Sequence, residues 1–202
     1  MSRETDKHEQ VFSRNQSGKG RSKFEDSPIV GLAFKYMLHL LDSPVRKWFN
    51  DPVKTLEAAG VQPGLMVLEV GCGTGFFTIP AAEMVEDEGC VHAFDIHPLA
   101  VEKTAQKISD ASLRNVRLTR TDALDTGLPD ESYDLILLFG VIPAPVLPLN
   151  KLLPEMHRLL RPSGSMAVWT GLPIWSPRQV TKYGLFTYVG KRSGVHSFTR
   201  NG

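Results

Sequence analysis

The 202-residue sequence is short of three features that would each point to a specialised class of protein. It has only two cysteines, Cys72 and Cys90, and its 23 Lys and Arg residues nearly balance its 22 Asp and Glu residues. No apolar run reaches the roughly 18 residues that a membrane-spanning helix requires. These absences argue against a disulfide-stabilised scaffold, a transmembrane protein and a protein whose main partner is nucleic acid.

The remaining composition is that of an ordinary globular domain. Hydrophobic residues make up 42% of the chain, and 202 residues are enough for one domain with an appendage. Cys72 lies inside a glycine-rich stretch where a structural bridge is unfavourable, so we expect a reducing, cytoplasmic environment. The polar start of the chain also lacks the apolar core of a secretory signal.

Composition divides the chain into three parts. Residues 1–27 are polar and mixed in charge, which predicts a flexible tail. Residues 28–59 predict an N-terminal helical segment, because apolar residues recur at helical spacing over 29–41 and a second short helix follows Asp51. Residues 60–202 form the main domain, in which strand and helix patterns alternate.

The alternation in the main domain predicts an α/β fold with mostly parallel strands. The predicted strands are 66–70, 90–95, 115–120, 133–139 and 165–170, and the predicted helices are 76–87, 98–109 and 149–160. The pattern then changes, and 185–190 and 195–200 flank a turn at 191–194 as in a β-hairpin.

The end of the first predicted strand carries the strongest functional signal. Glu69 is followed by glycines at 71, 73 and 75, which let the backbone turn tightly and approach a ligand. The dinucleotide-binding fingerprint, G-x-G-x-x-G, would need its third glycine at position 76, where Phe76 stands. The spacing therefore separates this loop from the nicotinamide-binding design.

Further acidic residues follow at regular places. Asp95 ends the second predicted strand 20 residues after the last loop glycine, and Thr121-Asp122-Ala123 follows the third strand. Tyr133-Asp134 opens the fourth strand, and residues 158–164 read Arg-Leu-Leu-Arg-Pro-Ser-Gly. With the glycine loop and the closing hairpin, this ordered set resembles the class I S-adenosylmethionine (SAM) dependent methyltransferases, in the broad group that includes quinone-biosynthesis enzymes.

The resemblance implies a fold and a cofactor. It implies a Rossmann-like sheet of seven strands in the order 3-2-1-4-5-7-6, with strand 7 antiparallel and helices on both faces. SAM would be the methyl donor and S-adenosylhomocysteine (SAH) the product, with no metal. The implied cofactor-binding residues are Glu69, Gly71, Gly73, Gly75, Asp95, Ile96, Asp122, Ala123, Phe139 and Gly140.

The acceptor is much less constrained, and no catalytic residue can be assigned. The loop 140–148 is apolar and proline-rich, without the Asn-Pro-Pro-Tyr, cysteine or acids that other acceptor classes use. It favours a small or lipid-like acceptor, or it is simply a rigid wall. The 28–59 segment is a possible lid, with Tyr36, His39 and Trp48 as candidate acceptor contacts together with Ile142. Equally, its helix could only pack on the sheet.

Several alternatives remain open. Glu69 could be a structural acid, and Asp95 and Asp122 could serve as turn or capping residues. The whole chain could be an NAD(P)-dependent Rossmann oxidoreductase, or a non-catalytic protein that binds SAM or SAH. The 29–41 helix could also make peripheral contact with a membrane surface, and the oligomeric state is undetermined by the sequence.

Overall fold

The computed structural model describes residues 51–142, 147–170 and 175–202. The predicted tail at 1–27 and the predicted helix at 29–41 lie outside these residues. The described part contains seven strands: β1 (Met66–Val70), β2 (Cys90–Asp95), β3 (Val116–Arg120), β4 (Tyr133–Phe139), β5 (Leu160–Trp169), β6 (Phe186–Arg192) and β7 (Val195–Arg200). Its helices are α1 (Pro52–Ala59), α2 (Thr78–Val85), α3 (Pro98–Asp110), α4 (Leu149–Leu159) and α5 (Arg178–Thr181).

The seven strands form one sheet in the order β3-β2-β1-β4-β5-β7-β6, which confirms the predicted topology. The pairs from β3 to β5 are parallel, whereas β7 is antiparallel to both of its neighbours. The register places Val67 of β1 beside Val91 of β2 and Leu135 of β4. The carboxyl ends of β1, β2 and β4 therefore meet at one edge of the sheet.

Apolar side chains cover both faces of this sheet, as expected for central parallel strands. One core cluster contains Leu68 and Ile136 and packs against α4, through residues such as Met156. The other contains Val67 and packs against α1 and α2, through residues such as Ala81. The two clusters confirm the prediction of helices on both faces.

Local sequence explains where α1 begins and ends. The Asp51 carboxylate accepts from the amides of Val53 and Lys54, at 3.1 and 3.3 Å, and Pro52 occupies the first helical position. Gly60 ends the helix in a left-handed conformation with φ 90°. The second short helix was therefore predicted correctly.

Several predicted boundaries were wrong; for example, α2 spans Thr78–Val85 rather than 76–87. β5 begins at Leu160 rather than 165, because Leu160 pairs with Tyr133 before an irregularity brings Ser165 opposite Leu135. Lys191 and Arg192 belong to β6, so the hairpin turn is tighter than predicted. No helix among the described residues has the length and apolarity to cross a membrane.

Candidate active site

Three glycines turn the chain sharply where β1 ends. Gly71, Gly73 and Gly75 have φ of 72°, 56° and 75°, a left-handed backbone that other residues adopt only with strain. The amides of Gly71 and Cys72 both donate to the carbonyl oxygen of Phe94, at 2.8 and 3.0 Å. These bonds fix the loop at the carboxyl edge of the sheet, where open α/β sheets bind their ligands.

The three glycines have different surroundings. A Cβ at Gly71 would lie 3.0 Å from a Val141 methyl carbon, and one at Gly75 would lie 3.2 Å from a Thr104 methyl carbon. A Cβ at Gly73 would meet no atom within 4 Å. Gly71 and Gly75 thus permit close packing inside the protein, whereas Gly73 leaves open backbone that a ligand can approach.

Glu69 is a buried acid directly below the glycine loop. Its side chain lies in β1, and the residue is only 2% exposed. Burial raises the pKa of the Glu69 carboxyl to about 8, against the hydrogen bond from Thr78, and the charge of Asp95 raises it further. At neutral pH the carboxyl is therefore mostly protonated, and an approaching cation would favour its ionised form.

Asp95 joins the glycine loop to the segment that follows β2. One carboxylate oxygen accepts from the Gly73 amide at 3.0 Å, and the other accepts from the His97 amide at 2.9 Å. Burial raises the pKa of Asp95 although these amides favour its charged form. A carboxylate has about four acceptor positions, so Asp95 can still accept from a ligand hydroxyl. The next residue, Ile96, is 46% exposed and offers apolar surface beside this carboxylate.

Asp122 and Ala123 lie next to the end of β2. The Thr121 amide donates to the carbonyl oxygen of Asp95 at 3.2 Å, which brings the two loops together. Asp122 is exposed, and one of its carboxylate oxygens accepts from the Leu124 amide at 2.9 Å. Ala123 is buried against the core. Three predicted ligand-binding segments thus meet at one edge of the sheet.

The end of β4 combines a buried ring with an exposed glycine. The Phe139 ring is nearly buried, and its centroid lies 4.9 Å from that of Phe77. Gly140 is exposed, has φ 72°, and donates its amide to the carbonyl oxygen of Trp169 at 2.9 Å. Ile142, a candidate acceptor contact, is 2% exposed and belongs to the core cluster.

Aromatic rings line the carboxyl ends of β4 and β5. The Phe77 ring makes edge contacts with Phe76 and Trp169, at centroid distances of 4.9 and 6.0 Å. Phe76 and Trp169 are half-buried. We call Phe76, Phe77, Phe139 and Trp169 the aromatic wall. The two phenylalanines after the glycine loop were a sequence signal for it, but their contact with Trp169 depends on the packing of α2 on the sheet.

Two threonines that the sequence did not single out support the loop. Thr78 donates its hydroxyl to the Glu69 carboxyl at 2.5 Å. Thr104, fully buried in α3, donates to the carbonyl oxygen of Gly73 at 3.1 Å. Nothing in the local sequence distinguishes these residues from other helical threonines, because their partners come from distant positions.

The remaining candidate residues lie elsewhere. Tyr36, His39 and Trp48 are outside the described residues, as are residues 143–146 of the apolar loop.

Burial raises the pKa of the Cys72 thiol, and the nearby Glu69 and Asp95 raise it further. The thiol stays protonated, which suits a packing role for Cys72 better than that of a nucleophile.

The described residues fit SAM. The Thr74 hydroxyl, within the glycine loop, is buried and has no hydrogen-bond partner, as expected where a polar ligand completes the site. The Glu69 carboxyl suits an ammonium group, and the Asp95 carboxylate suits the ribose hydroxyls. In the part of the chain that the structure describes, no three His, Cys, Asp or Glu side chains cluster in a way that could hold a metal ion.

Comparisons with known proteins agree with a site for SAM. A family model described as a methyltransferase domain matches residues 67–164. The demethylmenaquinone methyltransferase of Listeria monocytogenes is 34% identical over 122 residues, which are 60% of this chain and 49% of that protein. The aklanonic acid methyltransferase of a Streptomyces species is 42% identical over 74 residues, which are 37% of this chain and 34% of that protein. The chain thus spans a third to a half of the length of these relatives.

The fold comparison covers more of the chain. A SAM-dependent methyltransferase from Aquifex aeolicus superposes with a TM-score of 0.70 and 25% identity, covering 81% of this chain and 94% of that one. The strand order and these similarities show that residues 67–164 match a methyltransferase domain and that the described part of the chain has the fold of class I SAM-dependent methyltransferases.

Proposed function

We propose that this chain is an enzyme that transfers the methyl group of SAM, by direct displacement, to a small or lipid-like acceptor. One observation carries the proposal. The glycine loop, the Glu69 and Asp95 carboxyls and the aromatic wall meet at the carboxyl edge of a single sheet. The first two features suit the donor, and the third suits an apolar acceptor beside it.

Each donor contact follows from the chemistry of the side chain. In this proposal Glu69 ionises and attracts the ammonium of the methionine part, while Asp95 accepts from the ribose hydroxyls and keeps the Gly73 amide in place. Asp122 accepts from the adenine amine, the Ala123 amide assists, and Ile96 packs on the adenine ring.

The transfer step mainly requires the protein to position the donor and the acceptor. SAM supplies a methyl group on a sulfonium, whose departure leaves a neutral thioether. The protein must hold donor and acceptor in line and exclude water, and both effects lower the barrier without a covalent enzyme intermediate. A protonated Cys72 agrees with such a mechanism. Phe139 and Gly140 would lie beneath SAM, and the aromatic wall would exclude water from the methyl group of SAM.

The acceptor that we favour has a planar apolar body, such as a quinone or polyketide ring. The aromatic wall supports this class, because aromatic rings pack well edge to face against planar molecules. The names of two relatives, a demethylmenaquinone and an aklanonic acid methyltransferase, agree with it. We further propose that the 29–49 part of the N-terminal segment covers this acceptor and supplies contacts from Tyr36, His39 or Trp48.

The test combines binding and turnover on the full chain. Calorimetry with SAM, SAH and NADH, followed by SAH release with a panel of naphthoquinols, anthraquinone polyketides and catechols, should give SAM and SAH binding and turnover with a ring acceptor. Binding of NADH without SAM would contradict the proposal and favour the oxidoreductase. SAM binding without SAH release from any acceptor would favour a non-catalytic role. Retained turnover at unchanged KM after deletion of residues 1–50 would exclude a lid.

A further inference from the structure

The connection between β3 and β4, residues 121–132, carries Asp122 but contains no helix. A segment without regular structure depends on side-chain contacts for its conformation. Its first part folds into a turn, because the Thr121 hydroxyl donates to the carbonyl oxygen of Thr126 at 3.4 Å and the Asp125 amide donates to that of Asp122 at 3.3 Å. We call residues 121–126 the Asp122 turn.

The base of the Asp122 turn is held by a single acid from α4. One oxygen of Glu155 accepts both from the Thr126 amide, at 3.0 Å, and from the Thr126 hydroxyl, at 2.6 Å. The hydroxyl in turn accepts from the Leu128 amide at 3.2 Å. Thr126 is buried, and the Glu155 side chain is only 12% exposed. These bonds are therefore shielded from competition with water.

Arg158, one turn further along α4, fixes the Glu155 side chain. Its guanidinium donates to both carboxylate oxygens of Glu155, at 2.9 and 2.7 Å, in the paired geometry that makes such contacts strong. It also donates to the carbonyl oxygen of Leu128 at 2.7 Å and to the carboxylate of Asp130. Burial opposes ionisation of Glu155, but the bonds from Arg158 and Thr126 outweigh it and lower its pKa.

We propose that Glu155 and Arg158 are positioning residues, which act through Thr126 to set the Asp122 turn for recognition of the adenine ring of SAM. The inference rests on the proposed function, which assigns Asp122 to the adenine amine. Glu69, Asp95 and the loop glycines, which we assign to the rest of the donor, lie in β1, β2 and the glycine loop, whereas the side chains of Glu155 and Arg158 bond to Thr126, Leu128, Asp130 and each other. Loss of the pair should therefore loosen the adenine end of the ligand selectively.

The test compares SAH with S-inosylhomocysteine, in which an oxo group replaces the adenine amine. The full-length wild type should bind SAH at least about tenfold more tightly, since a hydrogen bond to a charged group contributes on that scale. Glu155→Ala should lower this preference to below about threefold, mainly by weakening SAH. Glu155→Gln, which keeps an oxygen for Thr126, should restore part of it. Thr126→Val, a milder change, should lower it in the same direction.

The matched control is Glu131→Gln, which removes the ion pair between the exposed Glu131 and the largely buried Arg200 at the other end of the same connection. It should leave the preference unchanged. Failure of the wild type to bind SAH would contradict the proposed function itself. Equal wild-type binding of the two ligands would overturn the adenine assignment and this inference with it. If Glu155→Ala folds, as judged by circular dichroism, an undiminished preference for SAH would overturn this inference but not the adenine assignment. If Glu155→Ala does not fold, an undiminished preference in Thr126→Val would do the same.

Discussion

The hydroxyl of Thr78 donates to the carboxyl of Glu69 across 2.5 Å, and both residues are buried directly beneath the glycine loop. A neutral hydroxyl stabilises a carboxylate less than a cation would, so burial dominates and the pKa of Glu69 rises to about 8. The acid therefore holds a proton at neutral pH until a positive group approaches.

Binding of SAM should consequently release a proton. At pH 7 a carboxyl with this pKa is about 90% protonated, and the proposed pairing with the ligand ammonium would favour the ionised form. Calorimetry at pH 7 in buffers of different ionisation enthalpy should show release of nearly one proton, and the affinity for SAM should rise as the pH is raised through 8. Glu69→Gln should bind more weakly and lose this proton release. An identical proton count in the variant would assign the release to another group.

Acid should destabilise the protein through His92. Its ring lies between the hydroxyls of Tyr133, at 2.6 Å, and Thr119, at 3.0 Å. Burial lowers the pKa of His92 from 6.5 to about 4, helped by the positive charge of Arg117. The unfolded chain takes up the proton below pH 6.5 and the native state only near 4, so stability is lost across this window, by about 3 kcal/mol in total.

Thermal or denaturant unfolding between pH 7 and 4 measures this effect. The raised pKa of Glu69 acts in the opposite direction, because its contribution to stability increases as the pH falls from 8 to 4.5. The useful quantity is therefore the difference between the wild type and His92→Gln, which should lose the histidine contribution. If the free energy of unfolding of the two proteins depends on pH in the same way, the role given to His92 is refuted.

Thr104→Val should weaken SAM binding by about fivefold, because it removes the hydroxyl that holds the carbonyl of Gly73. Thr55→Val is a matched control, since Thr55 is also a buried helical threonine that donates to a backbone carbonyl, that of Asp51, at 2.9 Å. Both changes should lower the free energy of unfolding by about 1 kcal/mol. Only Thr104→Val should change the dissociation constant for SAM, and an equal effect of both would show that Thr104 does not act on the loop.

Gly73→Ala should leave the protein folded and abolish most SAM binding. The new methyl meets no protein atom within 4 Å, but it would occupy the open space that we assign to the ligand. Gly60→Ala carries the same left-handed strain, about 1–2 kcal/mol, at the end of α1 and also meets no atom. Equilibrium dialysis with labelled SAM should show a loss of more than about tenfold for Gly73→Ala and none for Gly60→Ala. Full binding by Gly73→Ala would remove the loop from the site.

The sequence was most informative where local signals are strong. The bounds of β1, β2 and β4 were predicted residue for residue, because each apolar run stops at a glycine, proline or acid. The start of β5 was missed, since Arg161-Pro-Ser-Gly164 reads locally as the end of a helix. Its pairing with Tyr133 on a distant strand decides the conformation instead.

The same division holds at the candidate site. Spacing predicted the loop glycines, Asp95 and Asp122 as site residues, because these positions follow the ends of successive strands. It did not identify the hydrogen bonds that Thr78 and Thr104 donate, or the one between Thr126 and Glu155. Each of these bonds joins residues that are far apart in the chain. Such partners are set by how the helices pack on the sheet, and no local pattern encodes that packing.

Titration of SAH into Asp95→Ala tests the SAM site most directly. The wild type should bind SAH, and Asp95→Ala should lose at least about tenfold in affinity, because it removes the proposed ribose acceptor and the anchor of the Gly73 amide together. Asp110→Ala, which removes an exposed carboxylate at the end of α3, should bind as the wild type does. Unchanged affinity in a folded Asp95→Ala variant, or no SAH binding by the wild type, would contradict the account.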